Sequence, residues 1–230
     1  MIEYACNDKN GAKPQVGKTM EIKLYLGHLC DVPNSSSFVP ISETGNILIA
    51  GSCGSGKSIY LRTMIQALLA TYQPGSVGLV LFDGKRLEFN RMKDDPHLFL
   101  PLGHSLSDFK NQLTVLQGLI GIRSESDAPI LFIVDEFADV CFKDPSLRGP
   151  VEHLMEVGSK NGIYVILATQ VESSYSKKML DFAGTRIAFD LCEADSLEFM
   201  GNNMADGLAT GKAIVLLKGK QPAKVEIVKN

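Results

Sequence analysis

The chain has 230 residues, of which 45% are hydrophobic and 21% charged, with a formal net charge of −3. That length suits one large domain with a substantial core, and the near-balanced charge excludes a globally basic nucleic-acid binder, so any contact with a polyanion must be local. Five cysteines, Cys6, Cys30, Cys53, Cys141 and Cys192, lack C-x-x-C or Cys/His ligand spacing, and their odd number argues against a disulfide framework. A reducing, cytoplasmic setting is expected. No apolar run approaches the ~20 residues of a membrane-spanning helix, and the N-terminus has no signal-peptide core. A membrane tether would have to come from a longer parent chain or a partner.

Residues 1–19 are polar and contain Gly11, Pro14 and Gly17, which reads as a mobile lead-in with a short strand at its start. From Glu21 to Leu26, Ile22, Leu24 and Leu26 alternate with Glu21, Lys23 and Tyr25, as in a half-buried strand; Val32 to Pro40 reads as a turn-rich connection. Residues 1–44 are therefore expected to be a lead-in with a small strand addition, and residues 45–230 a single α/β domain.

The domain opens on Asn46-Ile47-Leu48-Ile49-Ala50, a short buried strand, followed by Gly51-Ser52-Cys53-Gly54-Ser55-Gly56-Lys57-Ser58. This octet fits G-x-x-x-x-G-K-[ST] without a mismatch. Behind it, Leu61, Met64, Ile65, Leu68 and Leu69 recur at helical spacing between Ile59 and Tyr72. Strand, glycine-rich loop and helix in that order form a phosphate cradle. Glycines let successive N–H groups point at phosphate oxygens, and the helix start adds its positive dipole end. The expected ligands are ATP and Mg2+, with Lys57 reaching the β- and γ-phosphates and Ser58 offering its hydroxyl to the metal.

Val77 to Phe82 reads as a central parallel strand ending in Asp83-Gly84-Lys85-Arg86-Leu87-Glu88-Phe89. Ligands gather at the carboxyl ends of strands in open α/β sheets, which brings Lys85 and Glu88 near the nucleotide by topology. A helix follows from Ser105, with Leu106, Phe109, Leu113, Leu116, Leu119 and Ile120 in helical period. His28, His97, His104 and His153 share no metal-ligand spacing.

Ile130 to Val134 is a buried strand ending in Asp135-Glu136, a Walker B arrangement. Asp135 can hold Mg2+ opposite Ser58, and Glu136 can polarise the attacking water. Pro150 to Val157 reads as a helix. Gly162 to Gln170 is a further buried strand, and its terminal Gln170 is placed to sense the γ-phosphate or the lytic water. A short helix at Lys177 to Phe182, a strand from Arg186 to Leu191, a helix from Ala194 to Met200 and a hairpin from Lys212 to Val228 around Gly219 complete the chain. The alternation predicts a three-layer α/β/α domain with a mainly parallel central sheet and a C-terminal β-hairpin.

The ordered segments GSCGSGKS, LFDGKRLEF, ILFIVDEFADV, GIYVILATQ and TRIAF, spread over residues 45–217, resemble the motor domain of the FtsK/SpoIIIE family of DNA translocases. The resemblance implies a RecA-like P-loop ATPase that assembles into a homo-oligomeric, hexameric ring around double-stranded DNA. It makes Arg186, in Thr185-Arg186-Ile187-Ala188-Phe189, a candidate for an interface or trans-acting role. This sequence departs from the family pattern at several places. Phe89 to Ile130 is compressed, Ser159 followed by Lys160 stands where the family has an arginine, and Val171-Glu172 follows Gln170 in place of Arg-Pro. Gly201-Asn202-Asn203-Met204 replaces a Gly-Gly-Ala-Glu-like loop, and no winged-helix segment is present to read orienting DNA sequences. A conjugative element, plasmid or phage motor fits this compactness. The alternatives are a type VII-secretion-like protein-export ATPase and a weakly hydrolysing ATP-binding assembly subunit.

Overall fold

The computed structural model describes residues 21–30, 32, 35–170 and 174–227. The lead-in at 1–19, the substitution at Val171-Glu172 and the end of the hairpin at Val228 lie outside them. In chain order the strands are β1 (Lys23–Leu29), β2 (Ser36–Pro40), β3 (Asn46–Ala50), β4 (Gly78–Asp83), β5 (Ile130–Asp135), β6 (Ile163–Thr169), β7 (Ala183–Ala188), β8 (Lys212–Leu217) and β9 (Ala223–Glu226). The helices are α1 (Ile41–Thr44), α2 (Lys57–Thr71), α3 (Leu106–Gly118), α4 (Phe137–Lys143), α5 (Arg148–Val157), α6 (Lys177–Phe182) and α7 (Glu193–Met200).

All strands belong to one sheet in the order β2-β1-β9-β8-β7-β3-β6-β5-β4. The expectation of a mainly parallel sheet is corrected: it is mixed. The pairs β4/β5, β5/β6, β6/β3 and β3/β7 are parallel, whereas β7/β8, β8/β9, β9/β1 and β1/β2 are antiparallel. Parallel neighbours require a crossover helix, and the chain supplies one between each of the central strands. The β8/β9 pair turns within a few residues, so it must run antiparallel. It extends the sheet beyond β7, and β1 with β2 adds to its outer edge.

Burial explains the near-continuous apolar runs of the central strands. Every residue of β3, β5 and β6 is buried, because both faces of the sheet are covered. Alternate residues divide between two cores. Leu48, Phe132, Val134, Val165 and Leu167 face one side, with α3, α4, α5 and α7 contributing Phe109, Phe137, Leu154 and Phe199. Ile47, Ile49, Leu131, Ile133 and Ile166 face the other, where α2 contributes Tyr60, Leu61, Met64, Ile65 and Leu68.

Several boundaries differ from the sequence expectation for local reasons. The segment read as a turn-rich connection contains β2, whose half-buried residues show too little alternation to announce a strand. The strand expected at Arg186 to Leu191 begins earlier, at Ala183, since Gly184 lies against the backbone of Thr44 and Gly45 and masks the strand pattern. The α3 start carries a full capping box, in which Ser105 Oγ accepts from the Asp108 amide and the Asp108 carboxylate accepts from the Ser105 amide.

Candidate active site

The glycine-rich loop bridges β3 and α2. Gly54 and Gly56 adopt φ of +75° and +118°, and a Cβ on Gly51 would lie 2.6 Å from Phe189 Cβ. Neighbouring strands hold the loop in place. Ser52 N donates to Asp190 O at 2.8 Å, and Gly211 N donates to Ser55 O at 2.9 Å. Among the described residues, the backbone N–H groups of Cys53, Gly54 and Gly56 have no hydrogen-bond partner. Unpaired amides converging on a helix start form a ready anion cradle.

Lys57 closes this cradle from within. Its ammonium is buried and donates to Gly51 O at 2.5 Å and Ser52 O at 2.8 Å. Burial lowers the lysine's pKa, while the carboxylates of Glu136 and Asp135 act in the opposite direction. Those two acids therefore sit within electrostatic reach of the loop. Ser58 lies half-buried in the first turn of α2.

The acids come from the end of β5, one strand beyond β6, which itself neighbours β3. Asp135 is 8% exposed and its carboxylate accepts no hydrogen bond among the described residues. Its pKa is pushed up to about 7 by burial first, then by the charges of Glu88, Asp83 and Glu136. Such a site retains a proton or attracts a cation. Without divalent metal, the folded protein holds Asp135 protonated at a pH where the unfolded chain has released that proton. Stability from this group is therefore lost as pH rises from about 4 to about 7. Asp135→Asn is expected to gain stability relative to the parent by a few kcal/mol between pH 5 and pH 8 in metal-free buffer. Urea unfolding at both pH values checks this, and an unchanged difference between the two proteins would refute it.

Glu136 has a left-handed backbone, φ 61° and ψ 65°, unusual for a residue with a side chain and common where strain serves a site. Its carboxylate meets the end of β6. Oε1 accepts from Thr169 Oγ1 at 3.2 Å and from the Gln170 amide at 3.1 Å, while Oε2 lies 3.3 Å from Lys85 Nζ. Gln170 thus joins the cluster through its backbone, and its half-buried side chain sits between the strands that carry the loop and the acids.

The structure gathers Lys57, Asp135, Glu136 and Gln170 at one end of the sheet. Arg186 is elsewhere. Two residues before the end of β7, it donates to Phe199 O at 2.6 Å and lines a cavity of about 430 Å3 with Asp181, Gly184 and Lys218. Burial lowers its pKa. Ser159 borders an adjoining cavity with Asn46 and Gly45, at the strand starts opposite the phosphate loop.

Sequence reasoning missed Asp83 and Thr169. Asp83 is fully buried, pairs in register with Asp135, and accepts from the Glu88 and Phe89 amides at 2.7 and 3.0 Å. Its position as an acid ending the strand beside β5 was the available signal. Thr169 ends an apolar run one residue before the amide that attracts notice, and only the fold shows its hydroxyl on Glu136.

Residues 15–125 match the model of the FtsK/SpoIIIE family. Over that stretch the chain is similar to FtsK/SpoIIIE-type motor domains. The matched stretch includes the phosphate loop, and Asp135 and Glu136 follow it. Among curated relatives, the DNA translocase FtsK of Staphylococcus aureus is 27% identical over 230 residues, covering 86% of this chain and 29% of that protein. The FtsK of Helicobacter pylori is 27% identical over 176 residues, covering 65% and 20%. The chain thus spans less than a third of the length of these relatives. The chain superposes on the cytoplasmic domain of the type VII secretion ATPase EccC of Thermomonospora curvata with a TM-score of 0.78 at 17% identity, covering 92% of this chain and 26% of that one. The pCW3 conjugation coupling protein TcpA, solved with ATPgS, gives 0.73 at 16% identity, covering 92% and 67%. These likenesses concern the fold. No helix of the described residues is long and apolar enough to cross a membrane.

Proposed function

We propose that this chain is the ATP-hydrolysing motor of a double-stranded DNA translocase, working as a hexameric ring in the cytoplasm. The observation that carries the proposal is the convergence of the unpaired loop amides, Lys57, Asp135 and Glu136 at the carboxyl ends of β3 and β5. Residues 45–230 would form the RecA-like motor core and residues 1–44 an addition to it.

Within that reading, the amides of Cys53, Gly54 and Gly56 receive phosphate oxygens of ATP. Lys57 exchanges the carbonyls of Gly51 and Ser52 for the β- and γ-phosphates. The buried, unpartnered Asp135 fits a divalent cation, and Asp135 with Ser58 would hold Mg2+, which neutralises charge on the phosphates. Glu136 orients the attacking water and accepts its proton, with Thr169 and the Gln170 amide fixing the carboxylate. Gln170 senses the γ-phosphate. The position of Arg186, away from its own phosphate loop, suits a residue acting at a subunit boundary rather than within its own site.

Steady-state ATPase rates with and without linear duplex DNA, over a range of salt and with particle size recorded, test the proposal. Duplex should raise turnover at low salt, and the effect should fade as salt rises, because phosphate contacts release counterions. Turnover indifferent to duplex in ring-sized particles would overturn the DNA reading and favour a motor that moves protein.

A further inference from the structure

The turn after β4 reaches into the candidate active site from a surface position. Its ends are pinned. Asp83 Oδ2 holds the Glu88 and Phe89 amides, Phe89 is wholly buried, and Glu88 is paired with Arg62 of α2. Its crest is exposed: Lys85, Arg86 and Leu87 all face solvent, Leu87 by 73%, and Arg86 is held through its backbone, its N–H donating to Asp83 O at 3.2 Å and its carbonyl accepting from Asn90 Nδ2 at 2.5 Å. Arg86 adopts a left-handed φ of 59°, which turns the chain sharply at the second of two adjacent cations, Lys85 and Arg86. Of those two, Lys85 extends inward to Glu136 Oε2. Its side chain is 39% exposed where that of Glu136 is 9% exposed, so the ion pair joins a surface loop to a buried acid.

The carboxylate of Glu136 therefore carries three donors, namely Thr169 Oγ1, the Gln170 amide and Lys85 Nζ. A carboxylate has about four acceptor positions, so little capacity remains for a water proton. The two donors from β6 are fixed by the sheet. Lys85 alone stands on a surface loop, and it alone among the three brings a full positive charge, held at Oε2, the oxygen that neither β6 donor uses.

Resting on the function proposed above, we infer that Lys85 is a positioning residue that holds Glu136 in a resting arrangement, and that duplex phosphates at the Lys85–Leu87 crest draw the ammonium away. Release frees Oε2 to receive the proton of the attacking water. Polymer on the crest and hydrolysis at the loop are coupled through one side chain.

Lys85→Met keeps the aliphatic stem and removes the charge. A partly exposed ion pair shifts populations by a factor of about 1.5 to 5. The duplex-free turnover number of Lys85→Met should rise by about that factor, its stimulation by linear duplex should fall by about the same factor, and its KM for ATP should stay within about twofold. Lys85→Arg, which retains a cation, should hold duplex-free turnover below that of Lys85→Met. Lys93→Met removes an exposed cation that faces only Asp94 and should change neither quantity. The inference is overturned by Lys85→Met that turns over no faster than the parent without duplex, or that loses rate by the same factor with and without duplex. If the parent itself ignores duplex, the DNA reading falls, and the duplex-free comparison still decides whether Lys85 restrains Glu136.

Discussion

Lys57→Ala is expected to weaken nucleotide binding by roughly 100-fold or more. The ammonium can give two charge-assisted hydrogen bonds to phosphate, each worth about 1.5–3 kcal/mol, and nothing in the loop replaces them. The resting state sharpens this expectation. Lys57 already stands over the loop with Gly51 O and Ser52 O as its acceptors, so it need only exchange carbonyls for phosphate oxygens. Its loss leaves those two carbonyls without the lysine, yet the loop keeps its ties to Asp190 and Gly211, and the fold should persist. Titration with a fluorescent ATP analogue, alongside thermal unfolding to confirm a folded variant, reads the effect. A dissociation constant within a few-fold of the parent would remove Lys57 from the phosphate site.

What the sequence made legible followed from patterns that are local. The strand-loop-helix around Gly51 to Ser58 announces itself because a glycine motif, an apolar run and a helical period are contiguous. The acids at Asp135 and Glu136 end a run buried on both faces, which only a central strand requires. The mixed character of the sheet was hidden, since β8 and β9 pair with β7 and β1 through contacts distant in sequence, and composition does not fix strand direction at an edge. The partners of Glu136 were hidden for the same reason. Lys85 follows β4 whereas Thr169 and Gln170 lie at the end of β6, and only the order β6-β5-β4 brings them around one carboxylate. Asp83 illustrates a further limit. Its carboxylate looks like another acid at a strand end, but one oxygen is spent on the backbone of its own turn, and its other oxygen, Oδ1, lies buried without a partner.

Glu136→Gln should leave ATP affinity within about twofold of the parent while lowering turnover by about 100- to 10,000-fold, the usual worth of a positioned base. The substitution preserves shape and removes proton affinity, and the surrounding donors dictate how the new amide sits. The Gln170 amide can only donate, so the glutamine oxygen must stay where Oε1 is now, 3.1 Å away. Its NH2 then faces Lys85, donor against donor, and the lysine must swing out toward solvent. The stability lost with that half-exposed ion pair is no more than about 1 kcal/mol. The variant should therefore unfold close to the parent, bind nucleotide and retain it unhydrolysed. Because it also frees Lys85, it separates two roles that the parent combines. If Glu136 served only to tether Lys85, Glu136→Gln would turn over at least as fast as the parent, like Lys85→Met. A collapse of turnover with Lys85 released identifies the carboxylate itself as the group that takes the proton, and a rate equal to the parent's would refute that assignment.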